Sequence, residues 1–392
     1  LDAPKLVKWK KLSDSFFYDV VSHPENEDLM FASGEKFIIS EDCGDSWKEL
    51  PNPPLDDLNR FPFIRMNIEC SFEDSNIIWV AASTSNKPSQ AMAGEAVLYK
   101  WKIKEQSWVF VRSLQKEMNN LIPTRANAFA VSPFSDSTLL VANVQPVYIS
   151  QNEGKDFLRS QKNQMHDDIH HLLFDQDGKT IWAAHDGGVS ISMDGGDTWK
   201  PRDSGIGAAN IFGLSVAQTE DTIVLYGAYD TGGNLLKKGK WSHVSWGDGF
   251  QTAIDPANPN TMYVSKQNGH LNRSDDGGKT FDNAAGSGIT RTEWHTWFRM
   301  CPQQPEVLFC AGDKLVRSMN KGQKWESILD VKQLEDGVQT IYRVFVSASH
   351  RGTVYAYGLG AQKTDVHLYR TLNALAERAE DVVWERLPAL PK

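Results

Sequence analysis

The sequence predicts an all-β protein built as one β-propeller over residues 1–392, with eight blades of four antiparallel strands and seven as the alternative count. Three observations predict it. A turn-like octapeptide recurs five times. A two-strand pattern recurs eight times in register with it. The 392 residues also hold 13 tryptophans and 29 glycines, a load that suggests regular placement.

The octapeptide appears as SEDCGDSW (40–47), SQNEGKDF (150–157), SMDGGDTW (192–199), SDDGGKTF (274–281) and SMNKGQKW (318–325), with the shared form S-x-D/N-x-G-x-x-W/F. The first serines are separated by 110, 42, 82 and 44 residues. The unit is therefore roughly 42–46 residues, 82 is two units, and 110 is two units plus an insertion. Such a segment is a hairpin turn. The Asp or Asn side chain caps the turn backbone, glycine takes the left-handed conformation, and the aromatic is buried on the next strand.

The second pattern is an alternating strand, a polar turn often holding proline, and another apolar strand. It occurs at 18–33, 65–83, 127–143, 170–185, 212–228, 251–266, 297–312 and 342–358. Period-2 alternation and β-branched enrichment favour paired strands over helices. The second, fifth and eighth units lack the octapeptide, and its spacings require gaps at the second and fifth. VKWKKL (7–12) and VVWERL (382–387) both read as outer strands that bring the termini together. SNKPSQAMAGEA (85–96) is a polar insertion, and TLNALAERAED (371–381) has the spacing of a short helix.

The repeated octapeptide resembles the Asp-box, or BNR repeat, of sialidases, xyloglucanase-type glycoside hydrolases, sortilin-like receptors and photosystem-assembly propellers. The resemblance implies an extracytoplasmic protein, secreted, periplasmic or surface-anchored. Its ligand would be a carbohydrate or a protein or peptide. The boxes join third to fourth strands, so Asp42, Asp194 and Asp276 are expected to be structural. Ligands are expected at the opposite face, made of second-to-third-strand turns and blade-to-blade links.

Three stretches on that face place an aspartate beside glycine: AAHDGGVSIS with Asp186, GAYDTGGNLL with Asp230 and SWGDGFQTAID with Asp248. The first resembles the Asp-Gly-Gly turn of xyloglucanase-type hydrolases, whose loop aspartate contributes to catalysis. The other two resemble a recurring pair in bacterial Asp-box proteins. Glycoside hydrolysis needs one carboxylic acid and one carboxylate base or nucleophile, roughly 5–9.5 Å apart, so Asp186, Asp230 and Asp248 are the candidate catalytic residues. Asp-Gly is also simply a good tight turn.

HDDIHH (166–171) and TEWHTWF (292–298) lead into the fourth and seventh blades, which makes His170, Trp294 and His295 candidate ligand-binding residues. Trp294 is expected to be exposed for stacking on a sugar face, and Trp297 to pack between blades. Arg65, Arg125 and Arg343 enter first strands and are the candidates for holding a substrate carboxylate. The Phe-Arg-Ile-Pro signature of sialidases is missing, and RFPFIRMN (60–67) only loosely echoes it. The histidines match no zinc spacing, so no metal and no cofactor is expected.

Lys+Arg is 41 and Asp+Glu is 50, a net charge of −9, which argues against a nucleic-acid partner. No apolar run approaches the roughly 18 residues of a membrane helix. The opening LDAPKLVKWKK has no signal-peptide core, so any export segment is expected outside this sequence. Of the cysteines Cys43, Cys70, Cys301 and Cys310, only the last two look pairable, and they read equally as small core residues. The functional expectation is a glycoside hydrolase or glycan-binding protein. The alternative is a non-catalytic interaction or assembly propeller.

Overall fold

The computed structural model describes residues 11, 15–54, 63–84, 96–114, 116–117, 128–144, 146–160, 165–204, 209–217, 222–286, 288–289, 292–334, 337–362 and 365–388. The fold is all-β, a β-propeller with eight blades, each a four-stranded antiparallel sheet whose strands neighbour one another in chain order. The second and eighth units are complete sheets, so the count is eight and not seven. VKWKKL lies outside the described residues except for Lys11, and SNKPSQAMAGEA lies outside them except for Ala96. Among the described residues no helix is long and apolar enough to cross a membrane. The chain divides into two compact units, residues 1–208 and 209–392, with four blades each.

In the first unit, blade 1 comprises β1 (Phe17–Ser22), β2 (Met30–Gly34), β3 (Phe37–Ser40) and β4 (Lys48–Leu50). Blade 2 comprises β5 (Phe63–Cys70), β6 (Ile77–Thr84), β7 (Ala96–Lys102) and β8 (Ser107–Ser113). Blade 3 comprises β9 (Ala128–Ser132), β10 (Ser135–Ala142), β11 (Val147–Ser150) and β12 (Leu158–Arg159). Blade 4 comprises β13 (Ile169–Phe174), β14 (Ile181–His185), β15 (Gly188–Ser192) and β16 (Lys200–Pro201). The first strands β1, β5, β9 and β13 lie beside one another in that order. The alternating apolar positions meet across blades and make the core: Phe31 and Phe37 with Met66 and Trp101, then Trp79 and Leu98 with Phe129 and Leu139. Leu140, Leu172 and Ile181 continue it into blade 4.

In the second unit, blade 5 comprises β17 (Asn210–Val216), β18 (Ile223–Tyr229), β19 (Gly232–Lys237) and β20 (Lys240–Ser245). Blade 6 comprises β21 (Thr252–Ile254), β22 (Met262–Ser265), β23 (Leu271–Ser274) and β24 (Asp282–Asn283). Blade 7 comprises β25 (Phe298–Cys301), β26 (Gln304–Cys310), β27 (Lys314–Ser318) and β28 (Glu326–Asp330). Blade 8 comprises β29 (Thr340–Val346), β30 (Val354–Leu359), β31 (Val366–Thr371) and β32 (Glu385–Arg386). Leu225 and Leu235 meet Met262, Tyr263 and Leu271 meet Phe298 and Trp325, and Phe309 and Leu315 meet Ile341 and Tyr369.

The repeat segments form one turn five times, each between the third and fourth strands. In blade 1 the Ser40 hydroxyl donates to Asp42 (2.7 Å) and accepts the Gly44 amide (2.8 Å), while Asp42 accepts the Ser46 amide (2.8 Å). The Trp47 indole then closes on the Gly44 carbonyl at 3.0 Å. Ser192, Asp194, Gly196 and Trp199 repeat these bonds, and Ser318, Asn320, Gly322 and Trp325 do so with asparagine. Hydrogen bonds from Ser46 hold the Asp42 carboxyl down at about 2, and those from Thr280 lower Asp276 likewise.

Two expectations are corrected, and the reading of Cys301 and Cys310 as small core residues holds. The eighth unit has a version of this turn: Thr371 donates to Asn373 (2.8 Å), Asn373 accepts the Val383 amide (3.0 Å), and Trp384 follows as the partly buried aromatic. Residues inserted between Asn373 and Val383 hide the spacing. For the same reason 371–381 is not a helix; its only helical turn is the 3-10 turn Ala379–Asp381. Cys301 and Cys310 are free buried thiols of the core, not a disulfide.

Candidate functional site

Each candidate residue takes its place from the blade topology. In the first unit, Asp186 sits in the β14–β15 turn and His170 on β13. Their side chains meet, with His170 Nε2 2.5 Å from Asp186 Oδ1. His185 bonds Ser190 Oγ at 2.9 Å and stacks on His166, ring centroids 6.3 Å apart. Burial, reinforced by His166, pushes His185 down to about 4, so it is neutral at pH 7. Arg65, on β5, is buried with its guanidinium 5.1 Å over the Tyr18 ring. Arg125 lies outside the described residues.

The second unit gathers more of the expected residues. Asp230 lies in the β18–β19 turn with a left-handed backbone (φ 61°), and Asp248 lies in the link from β20 to β21. They are joined: the Asp230 amide donates to Asp248 Oδ1 at 3.1 Å. Asp248 is only 8% exposed, and its own amide donates to Gln267 Oε1 at 3.1 Å. Gly249 lets the link lie on the turn, because a Cβ there would stand 2.3 Å from the Gly232 carbonyl oxygen. In the recurring pair of Asp-Gly stretches a carboxylate from one loop thus ties down the other loop's amide.

His295 and Trp294 occupy the link into blade 7. Trp294 is 45% exposed, as expected. His295 packs on Phe250 (4.5 Å between centroids) and Phe212 (5.0 Å), and its buried Nε2 has no hydrogen-bond partner among the described residues. Burial lowers its pKa; Asp248 pulls it up and Arg343 pushes it down.

Arg343, on β29, holds its guanidinium 4.4 Å from the Trp297 ring centroid and 5.4 Å from that of Tyr342. Arg299, on β25, stands 5.8 Å from the same indole and donates to Gln251 Oε1 and, at 3.0 Å, to the Phe298 carbonyl. Burial lowers the pKa of Arg299, and Arg343 lowers it further; no acid contributes. Among the described residues neither guanidinium has an ion-pair partner. Sequence reasoning missed Arg299 and set Trp297 aside as packing. The available signal was period-2 placement: Trp297 and Arg299 sit one strand step apart, on one side of the chain.

Tyr342, which Arg343 approaches, also lines a cleft of about 810 Å³ together with Thr292, Glu293, Asp313, Lys332 and Tyr357 among others. The cleft lies where the links into blades 7 and 8 meet the second-to-third-strand turns. The second unit therefore presents two cations without acid partners among the described residues and an indole that both approach. That arrangement can hold an anion and stack a ring.

No family model matches the chain, and no curated protein matches it. Solved structures do. A GH74 enzyme from Niastella koreensis is 14% identical, with a TM-score of 0.43, covering 97% of this chain and 64% of that one. The chain thus spans just under two thirds of that enzyme's length. The GH74 xyloglucanase from Xanthomonas campestris is 14% identical, with a TM-score of 0.38, covering 98% and 76%. A YCF48 structure with a bound D1 peptide is 13% identical, with a TM-score of 0.31, covering 77% and 94%. At these identities the likeness concerns fold alone.

Proposed function

We propose that the chain is an extracytoplasmic Asp-box propeller that binds a carboxylate-bearing glycan at Arg299, Trp297 and Arg343. One observation carries this reading: two neighbouring guanidiniums approach one indole with no acid paired to either among the described residues. Such a pair is electrostatically costly until an anion arrives, and a carboxylate bonded to both would be held by charge-assisted hydrogen bonds. Trp297, Tyr342 and Tyr357 supply ring faces for the sugar beside the anion.

Hydrolysis is the stronger form of this reading, with Asp186, Asp230 and Asp248 as its candidate carboxylates. The second reading is a non-catalytic interaction propeller. It is favoured by Asp248, whose carboxylate is occupied by the Asp230 amide.

Calorimetric titration of acidic and neutral oligosaccharides tests the proposal. Acidic ones are expected to bind, and Arg343→Ala and Arg299→Ala to weaken them at least tenfold. Binding that ignores both substitutions would sink the assignment. Product analysis of the same mixtures with Asp186→Asn and Asp248→Asn decides on chemistry, since turnover retained in both removes these carboxylates from it. Selective binding of a peptide with a free C-terminal carboxylate over its amide would establish the second reading.

A further inference from the structure

A second groove, apart from the arginine pair, lies along the outer side of blades 5 and 6. It has a volume of about 400 Å³ and is lined by Ser242, His243, Trp246, Lys266, Asn272 and Lys279 among others. Trp246 is 81% exposed, far more than a tryptophan with a packing role. It is nonetheless held in place. The His243 ring lies 4.2 Å from it at 60°. The next residue, Gly247, takes a left-handed backbone (φ 88°), and Asp248 beyond it is bonded through its amide to Gln267. An indole fixed in this way is a stacking platform that loses little freedom on binding.

The charge of the groove is opposite to that of the chain. No acid lines it, while Lys266 and Lys279 do, and neither lysine has an ion pair among the described residues. In a protein of net charge −9 this is a local cationic strip beside an aromatic face. Ser242 and Asn272 add neutral donors and acceptors.

We propose that this groove is a binding site for an anionic oligosaccharide, with one sugar ring stacked on Trp246 and acidic substituents of the chain paired with Lys266 and Lys279. Uronate carboxylates and sulfate esters present the same chemistry to two lysines. A single nucleic-acid strand also stacks and carries charge, but its repeating phosphates would meet the repulsion of an acidic protein beyond this short strip. The site does not depend on the arginine pair.

Acrylamide quenching of tryptophan emission tests it, since Trp246 is the most exposed indole among the described residues and contributes most to the quenchable fraction. Titration with a hexagalacturonate or a sulfated heparin hexasaccharide is expected to give saturable protection with at least one of them, and salt should weaken it. Trp246→Phe should abolish the protection, Lys266→Ala with Lys279→Ala should weaken it at least tenfold, and Lys48→Ala, on β4 of blade 1, should leave it unchanged. A response to one hexasaccharide alone identifies the acidic group as carboxylate or sulfate. The proposal is overturned by no protection with either sugar, by equal protection with neutral cellohexaose, by protection that survives the double lysine substitution, or by tighter protection from an oligothymidylate. Loss with Arg343→Ala alone would locate the ligand at the arginine pair instead.

Discussion

Glu69 illustrates what a single position on a first strand can carry. It sits on β5 two residues beyond Asn67 and four beyond Arg65, on the polar side of a strand whose other side is Met66, Ile68 and Cys70. Burial pushes its carboxyl up to about 8, and Asp19 on β1 adds like-charge repulsion. Asp19 is itself raised by burial, against bonds from the Ile68 and Val20 amides and the nearby charges of His171 and Arg65. An acid raised in this way favours the folded state while it is protonated. Its contribution is full below the unfolded value of about 4.5 and is lost as pH rises towards 8. Glu69→Gln should therefore gain on the wild type between pH 5 and 8, by at most about 1.4 kcal/mol per pH unit. Urea unfolding of both proteins across that range measures it, and a pH-independent difference would contradict the assignment.

At the scale of elements, the eighth-blade turn shows how an insertion is made rigid. Arg317, on β27, is 0% exposed, and its Nη1 donates to the carbonyls of Ala374 (2.7 Å) and Ala376 (2.8 Å) within the inserted residues. Its Nε bonds Glu326 at 2.9 Å, and the Trp384 indole donates to the Ile328 carbonyl at 2.7 Å. Blade 7 thus clamps the enlarged turn of blade 8. Arg317→Ala leaves the buried Ala374 carbonyl, the part-buried Ala376 carbonyl and the partly exposed Glu326 carboxylate without their donor and should cost about 2–3 kcal/mol in chemical denaturation. Arg317→Lys should recover only part, since one ammonium cannot span all three acceptors. A loss below about 1 kcal/mol would show that the turn holds without the clamp.

For the whole molecule, the cysteines report on folding without touching the candidate sites. Cys43 is exposed, whereas Cys70, Cys301 and Cys310 are buried. Burial pushes Cys70 and Cys310 up to about 12, and the hydrogen bond to Asp28 raises Cys43. A chromogenic thiol reagent should titrate one group in the native protein, faster as pH rises, and four in denaturant. Two groups in denaturant would mean that Cys301 and Cys310 are joined after all.

The sequence by itself determined the sheets, their number and five of the repeat turns. Strand alternation and turn bonds such as Ser40 with Asp42 and Gly44 are local, involving residues a few positions apart, so neighbours in the chain encode them. The sixth turn was hidden by its insertion between Asn373 and Val383, although its hydrogen bonds persist. Tertiary structure alone decided what the polar residues do. That the link from blade 5 lies on the β18–β19 turn and joins the Asp248 carboxylate to the Asp230 amide is visible only in the fold. Arg299 looks like any strand arginine in the sequence, and only the fold shows that β29 brings Arg343 to the same indole, Trp297. A side chain's charge is written in the sequence, but whether that charge is paired depends on strands distant in the chain, and pairing separates a structural bond from a site that waits for a ligand.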